Sequence, residues 1–210
     1  MSAHLTIELR ADPVERVPAD VVVAFCFDDD RPLRGPAGRA DWRLCGDLSR
    51  FVAGRETGGA LAAGALLLPT GGRLRASRLM LVGLGAADDF GPDACARAVR
   101  DAAGRLLDLR ADSAALGPPG DWMDRIPVGI GAQACIRGAV AALQGTGRSL
   151  ELRLVVSPEH VARVLRGLEA AREAVADRGV TIALPSREGL PAVARQPASR
   201  PVRSPATPTV

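Results

Sequence analysis

Apolar residues recur along this chain in two rhythms that take turns. Leu5, Ile7 and Leu9 are interleaved with Thr6 and Glu8, the period of a strand with one buried face. Val21 to Phe27 is apolar throughout, which predicts a central strand buried on both faces. Asp28 to Pro36 breaks the run with charges and prolines and reads as a solvated loop. Between Asp41 and Gly54, Leu44, Leu48, Phe51 and Val52 fall at helical spacing, with Asp41 placed to cap the start and Gly54 to end it. The stretches Ala60 to Thr70 and Leu74 to Gly85 predict two further strands, and Gly71 with Gly72 between them favours a hairpin.

Past Pro92, a suitable first helical residue, Cys95, Ala98, Val99, Ala102, Leu106 and Leu109 form one helical face. Ser113 to Leu116 predicts a short strand, stopped by Gly117, Pro118, Pro119 and Gly120, and a helix follows over Ala132 to Leu143. Leu150 to Val156 alternates with Glu151 and Arg153 as a strand. Ser157 and Pro158 then open a helix over Glu159 to Arg178, Gly179 stops it, and Val180 to Leu184 is a last strand. Along that helix Val161, Val164, Leu165, Leu168, Ala171 and Val175 make one apolar stripe opposite Arg163, Arg166, Glu169 and Arg172. The stripe must be buried, either against the sheet or, as we favour from sequence, against a second chain, which makes Val161, Leu165 and Leu168 the candidate interaction residues.

Strands alternating with helices at this spacing predict an α/β fold, a three-layer α/β/α sandwich whose hairpin makes the sheet mixed. A chain of 210 residues, 47% hydrophobic, accommodates one such domain over residues 1–185. From 186 to 210 prolines, serines and arginines replace large apolar residues, the composition of a disordered tail.

The segment Ser77 to Gly85, Ser-Arg-Leu-Met-Leu-Val-Gly-Leu-Gly, is an apolar strand ending in a two-glycine turn, followed by an acidic loop and a helix. It resembles the signature strand and turn in the N-terminal domain of the M17 leucyl aminopeptidases. The early strand Ala19 to Phe25, the helix from Asp41 and the strand Gly64 to Pro69 stand in that family's order, and the resemblance spans residues 5–178. It implies a macro-domain-like fold. The family's two-metal site lies in a larger C-terminal domain and uses a lysine with several carboxylates, partly within an Asn-Thr-Asp-Ala-Glu-Gly-Arg run. This sequence has neither Lys nor Asn, so no catalytic residue carries over and neither metal nor cofactor is expected. The chain is expected to stop where that catalytic domain would begin.

Lys, Asn and Tyr are absent while Ala, Gly, Arg and Pro abound, the imprint of a GC-rich genome, so arginine richness is not itself a nucleic-acid footprint. The chain has 27 basic residues, all Arg, against 24 acidic ones, a formal charge of +3. Residues 186–210 hold four of those arginines and one glutamate, so the remainder sums to zero and lacks the basic stripe of a DNA-binding domain. No stretch reaches the roughly 18 apolar residues of a membrane span, and Glu8, Arg10 and Asp12 stand where a signal peptide is apolar. The cytoplasm is the expected compartment. Cys26, Cys45, Cys95 and Cys135 lie on apolar faces without zinc-ligand spacing and are expected as buried, reduced thiols.

Three groups of residues are candidates for chemistry. Gly83 and Gly85 end a strand before a helix, where backbone N–H groups can cradle phosphate, although Asp88 stands where a third glycine would be. Asp28, with Asp29 and Asp30, ends the central strand and suits a divalent cation or an adenine; the plainer reading is a solvated turn. Macro domains that bind ADP-ribose use asparagines near the ribose, which this chain cannot supply. Ser157, Glu159 and His160 carry the residue types of a nucleophile, carboxylate and base, but a helix start accounts for all three.

The leading expectation is a non-catalytic relative of the aminopeptidase N-terminal domain that works through protein contacts, by self-association or by docking to an M17 aminopeptidase. The resemblance implies that role, because the family assembles as hexamers. The alternative is a module for a small anionic ligand of the nucleotide or ADP-ribose kind. Nucleic-acid binding, known for some family members, is disfavoured by the neutral body.

Overall fold

The computed structural model describes residues 2–54, 64–69 and 72–185. Seven strands form one sheet: β1 (Ala3–Arg10), β2 (Val21–Cys26), β3 (Gly64–Leu67), β4 (Arg78–Gly83), β5 (Ser113–Leu116), β6 (Ser149–Val155) and β7 (Val180–Ala183). Their spatial order is β3-β4-β2-β5-β6-β1-β7. Only β3 runs antiparallel to its neighbour, pairing Leu67 with Leu79 and Gly64 with Val82. Helices α3 (Pro92–Asp108), α4 (Val128–Leu143) and α5 (Val161–Ala174) cover one face, and α1 (Gly35–Arg43) with α2 (Asp47–Ala53) the other. The mixed-sheet α/β/α sandwich expected from the sequence is the observed fold.

Side-chain alternation explains both cores. In β2 every residue is buried, Val21, Val23 and Phe25 toward α3, α4 and α5, and Val22, Ala24 and Cys26 toward α1 and α2. In β1 only the alternate residues Ala3, Leu5, Ile7 and Leu9 are buried, because the smaller helical layer stops short of β1, β6 and β7. The uncovered half-face is polar: Arg153 pairs with Glu8 at 3.2 Å and Glu151 at 2.8 Å.

The middle helix of the larger layer, α4, carries one charged residue, Arg137, and is buried along most of its surface. Small residues allow this, since they let backbones approach closely. A Cβ on Gly167 of α5 would fall 2.2 Å from the Gly129 carbonyl oxygen of α4, and one on Gly138 of α4 would fall 2.5 Å from the Ala96 carbonyl oxygen of α3. Gly167→Ala is therefore expected to push α5 from α4 and destabilise the fold by about 2 kcal/mol. Thermal melting measures it, and an unchanged midpoint would show that the helices part freely.

Several expectations need correction. The single helix from Asp41 is two helices, broken where Cys45 and Gly46 take φ values of 56° and 83°. Asp41 lies inside α1 rather than at its start, and its carboxylate accepts hydrogen bonds from the Ser49 amide at 3.0 Å and hydroxyl at 2.5 Å. It thereby caps α2, whose own N-cap is a glycine with no side chain to offer. Cys45 sits at this break and is exposed, with Arg73 Nη1 at 3.1 Å from its Sγ, whereas Cys26, Cys95 and Cys135 are buried as expected. Asp30 is not solvated but 2% exposed, its carboxylate 3.3 Å from Arg34. Ser157 precedes a single 3-10 turn, Pro158–His160, and makes no side-chain cap; α5 starts only at Val161 and ends at Ala174, four residues before the expected Arg178.

The stripe on α5 is buried within the chain itself. Val161, Val164 and Leu168 belong to the larger core and so are not open to a second chain, while Leu165 packs partly buried on its edge. A 3-10 turn, Ala176–Arg178, follows α5, and Gly179, at φ 70°, stops that turn rather than the helix itself. The Ala60 end of the first hairpin strand, Gly71 of its turn and the tail from 186 to 210 lie outside the described residues.

Candidate functional site

Six parallel strands aim their carboxyl ends at one edge of the sheet, so segments distant in sequence meet there. After β1 the chain turns through Asp12 and Pro13 so that Val14 and Val17 enter the smaller core; after β5 and β6 it turns to the opposite face, into α4 and α5. Connections that part in this way open a crevice at the strand ends, the usual ligand position in open α/β sheets. Here it is a cleft of about 430 Å³. Its walls are Asp12 after β1, Gly35 and Arg39 of α1, Gly117, Asp121 and Trp122 after β5, and Ser157 and His160 after β6.

Packing fixes the aromatic wall. Trp122 lies 5.9 Å, centroid to centroid, from Phe27, which meets Phe90 edge-on at 5.0 Å. Gly35, at φ 54°, lies against the indole: a Cβ there would fall 2.6 Å from the ring, so the start of α1 requires glycine.

The polar wall is unevenly satisfied. His160 Nδ1 stands 3.7 Å from Asp121 Oδ1, an ion-pair distance rather than a hydrogen bond. Burial pushes the Asp121 carboxyl above its ordinary 3.8; His160 pulls it back, Asp124 and Glu159 push it up, and Arg163 opposes them. Trp122 Nε1 and His160 Nδ1 are both buried without a hydrogen-bond partner. Such groups each cost roughly 1–3 kcal/mol until something satisfies them. Arg39 is held by Glu15 at 3.4 Å.

The residues singled out from sequence fall unequally around this cleft. Ser157 and His160 line it, and the fold brings Asp121 to them; this contact joins residues 39 apart and no local pattern signals it. Among the described residues Ser157 Oγ makes no hydrogen bond, so it is not paired with the imidazole as an activated nucleophile. Gly83, Gly85 and Asp28 lie outside the cleft. Gly85, at φ 79°, accepts a hydrogen bond from the Asp28 amide at 3.0 Å, and Leu84 N–H donates to the Cys26 carbonyl at 2.8 Å. That loop closes on β2, and the chain then runs through the 3-10 turn Ala87–Asp89 before α3, so its glycines do not open directly onto a helix N-terminus. Asp28 itself is exposed. Among the described residues no group of three or more His, Cys, Asp or Glu side chains is placed to hold a metal ion.

Comparison with known proteins agrees with this architecture. A mutant of tomato leucine aminopeptidase superposes with a TM-score of 0.61 at 17% identity, over 82% of this chain and 36% of that one. A mutant of the Oceanobacillus iheyensis macrodomain gives 0.63 at 14% identity, over 80% of this chain and 89% of that one. A Trypanosoma brucei macrodomain in complex with ADP-ribose gives 0.62 at 16%, over 76% and 68%. These identities establish a shared fold only, and this chain spans little more than a third of the aminopeptidase. No curated protein matches the sequence. The model of the cytosol aminopeptidase family N-terminal domain, however, matches residues 21–143, more than half of the chain, from the central strand β2 to the end of α4. The chain belongs to the cytosol aminopeptidase family, of which it carries the N-terminal domain.

Proposed function

We propose that this chain is a non-catalytic module that holds an adenine-bearing nucleotide, of the ADP-ribose kind, in the cleft at the carboxyl edge of its sheet. The observation that carries the reading is the cleft itself: about 430 Å³, within the usual range for small-molecule sites, with an indole wall and few convergent polar groups. A related fold holding ADP-ribose supports the ligand class. Asp12, exposed at the rim, supplies a carboxylate for an exocyclic amine. Asp121 and Ser157 suit ribose hydroxyls, and Arg39 is the cation nearest any phosphate. With two carboxylates and one arginine on its walls, the cleft favours the nucleoside end over the phosphates. The sequence has neither the lysine of the family's metal site nor the asparagine of its Asn-Thr-Asp-Ala-Glu-Gly-Arg run, which supports a non-catalytic role. Free thiols, three of them buried, suit a reducing compartment and support the cytoplasm; among the described residues no helix is long and apolar enough to cross a membrane.

Calorimetry with adenosine, AMP and ADP-ribose tests the reading. At least one should bind more tightly than ~100 μM, about −5.5 kcal/mol. Asp12→Ala should weaken that binding at least ~10-fold, about 1.4 kcal/mol, without lowering the melting temperature, and Asp28→Ala should leave it intact. Absence of heat with all three ligands, or loss on Asp28→Ala alone, overturns it.

A second reading keeps the protein-contact role and moves it to another surface. Trp42 on α1 is 77% exposed, with the Arg43 guanidinium 5.6 Å from its ring centre. Exposed tryptophan beside arginine is the composition of an interface centre, and self-association or docking to an M17 aminopeptidase through this face would use it. Light scattering of wild type and Trp42→Ala decides: a wild type that is monomeric at every concentration, alone and mixed with an M17 aminopeptidase, ends this reading.

A further inference from the structure

The larger helical layer carries a second concavity, on the side away from the sheet and sharing no residue with the cleft. Because α4 is built of small residues and sinks between its neighbours, its outward side forms the bottom of a groove of about 470 Å³. Arg97 and Arg100 of α3, Arg137 of α4 and Arg178 beyond α5 border it, with Asp93 the one carboxylate. Asp93 is engaged by Arg137 at 2.9 Å. Arg97, Arg100 and Arg178 are exposed and make no ion pair among the described residues. That these cations are arginines carries no weight in a chain without lysine; their gathering around one concavity does, since the body as a whole is neutral.

We infer that this groove binds a compact multivalent anion, an oligophosphate. Four guanidinium groups against one carboxylate leave a net positive potential focused by the concave surface, and guanidinium forks suit phosphoryl oxygens in pairs. The floor is made of Ala96, Gly138, Ala141, Ala174 and Val175, which offers no pocket for the large apolar anchors that hold a protein partner. Charge, rather than apolar burial, must therefore supply the affinity, which selects a small ligand of high charge density. A groove of this size accommodates a chain of two or three phosphoryl groups.

The test is titration of the full chain with inorganic tripolyphosphate by calorimetry at low salt, with ATP and hexaglutamate as parallel arms. Tripolyphosphate is expected to bind with a Kd below ~100 μM, and binding should weaken as salt rises. The double variant Arg97→Ala, Arg100→Ala should lose at least ~10-fold in affinity with its melting temperature kept, because both side chains are exposed. The control Arg195→Gln, Arg200→Gln, Arg203→Gln, in the C-terminal tail, should bind as wild type does. Equal affinity for ATP identifies the phosphoryl chain as the recognised part. The inference is overturned by absence of binding, by retention in the double variant, by loss in the tail control, or by displacement of tripolyphosphate with adenosine. A response to hexaglutamate alone also overturns it and assigns the groove to an acidic peptide.

Discussion

Leu168→Asp is expected to destabilise the chain by more than about 4 kcal/mol, enough to unfold it at room temperature. Leu168 is 0% exposed in the larger core, and among the described residues no cation is buried to pair with a new carboxylate. The substitution removes a buried isobutyl group and asks the core to hold either a charge or an unpartnered carboxylic acid. Leu165→Asp, one turn-edge away and only partly buried, should cost far less, since its carboxylate can reach water. Circular dichroism melts of the two variants give the contrast. A Leu168→Asp protein that stays folded but changes its association state would show that α5 opens outward after all.

Asp20→Ala should be the second most damaging change, by about 3 kcal/mol. Asp20 stands just before β2, and its Oδ2 accepts hydrogen bonds from the Asp112 and Ser113 amides, each at 2.9 Å, and from the Ser113 hydroxyl at 3.2 Å. Its own amide donates to Ser113 Oγ at 3.0 Å, so the starts of β2 and β5 are clamped from both sides. Without the carboxylate two N–H groups lose a charged acceptor. Burial alone would raise the Asp20 pKa, but the Ser113 and Asp112 hydrogen bonds, with the charge of Arg78, outweigh it and leave the pKa below 3.8. A pKa lowered by folding gives stability that is complete above the unfolded value and lost as pH falls through the folded one. Wild type should therefore lose this contribution below about pH 4, while Asp20→Ala should show a shallower acid dependence. Denaturant midpoints at neutral pH and near pH 3 measure both effects; parallel curves would remove Asp20 from the account.

Where burial is decided by neighbours in sequence, the fold was legible. The unbroken run of β2 and the alternation of β1 report how many faces are covered, and the α5 stripe reports a buried side. The stripe does not say what covers it, since the period of an apolar face is the same whether α4 or a second chain lies against it. The break at Cys45 was hidden because apolar spacing continues through it and because Asp41 caps α2 from eight residues upstream. The burial of Asp30 is hidden for a related reason: its composition is that of a wet loop, while Arg34 one helical turn on makes burial tolerable. The cleft was least legible of all. Its walls come from four separate segments, and only the parallel order of β1, β5 and β6 makes Asp12, Asp121 and His160 neighbours.

The exposed residue at that helix break gives the chain a practical property. Of its four thiols, Cys26 and Cys95 are pushed up by burial to about 11 and about 12, and Cys135, wholly enclosed, is raised as well. Cys45 stands outside, on a bend. Toward alkylating reagents the folded protein should thus count as a single-thiol molecule, taking up one equivalent quickly and three more only on unfolding. Left in air without a reducing agent, it should accumulate a covalent dimer joined through that one position, a species to be distinguished by reduction from any association of biological origin.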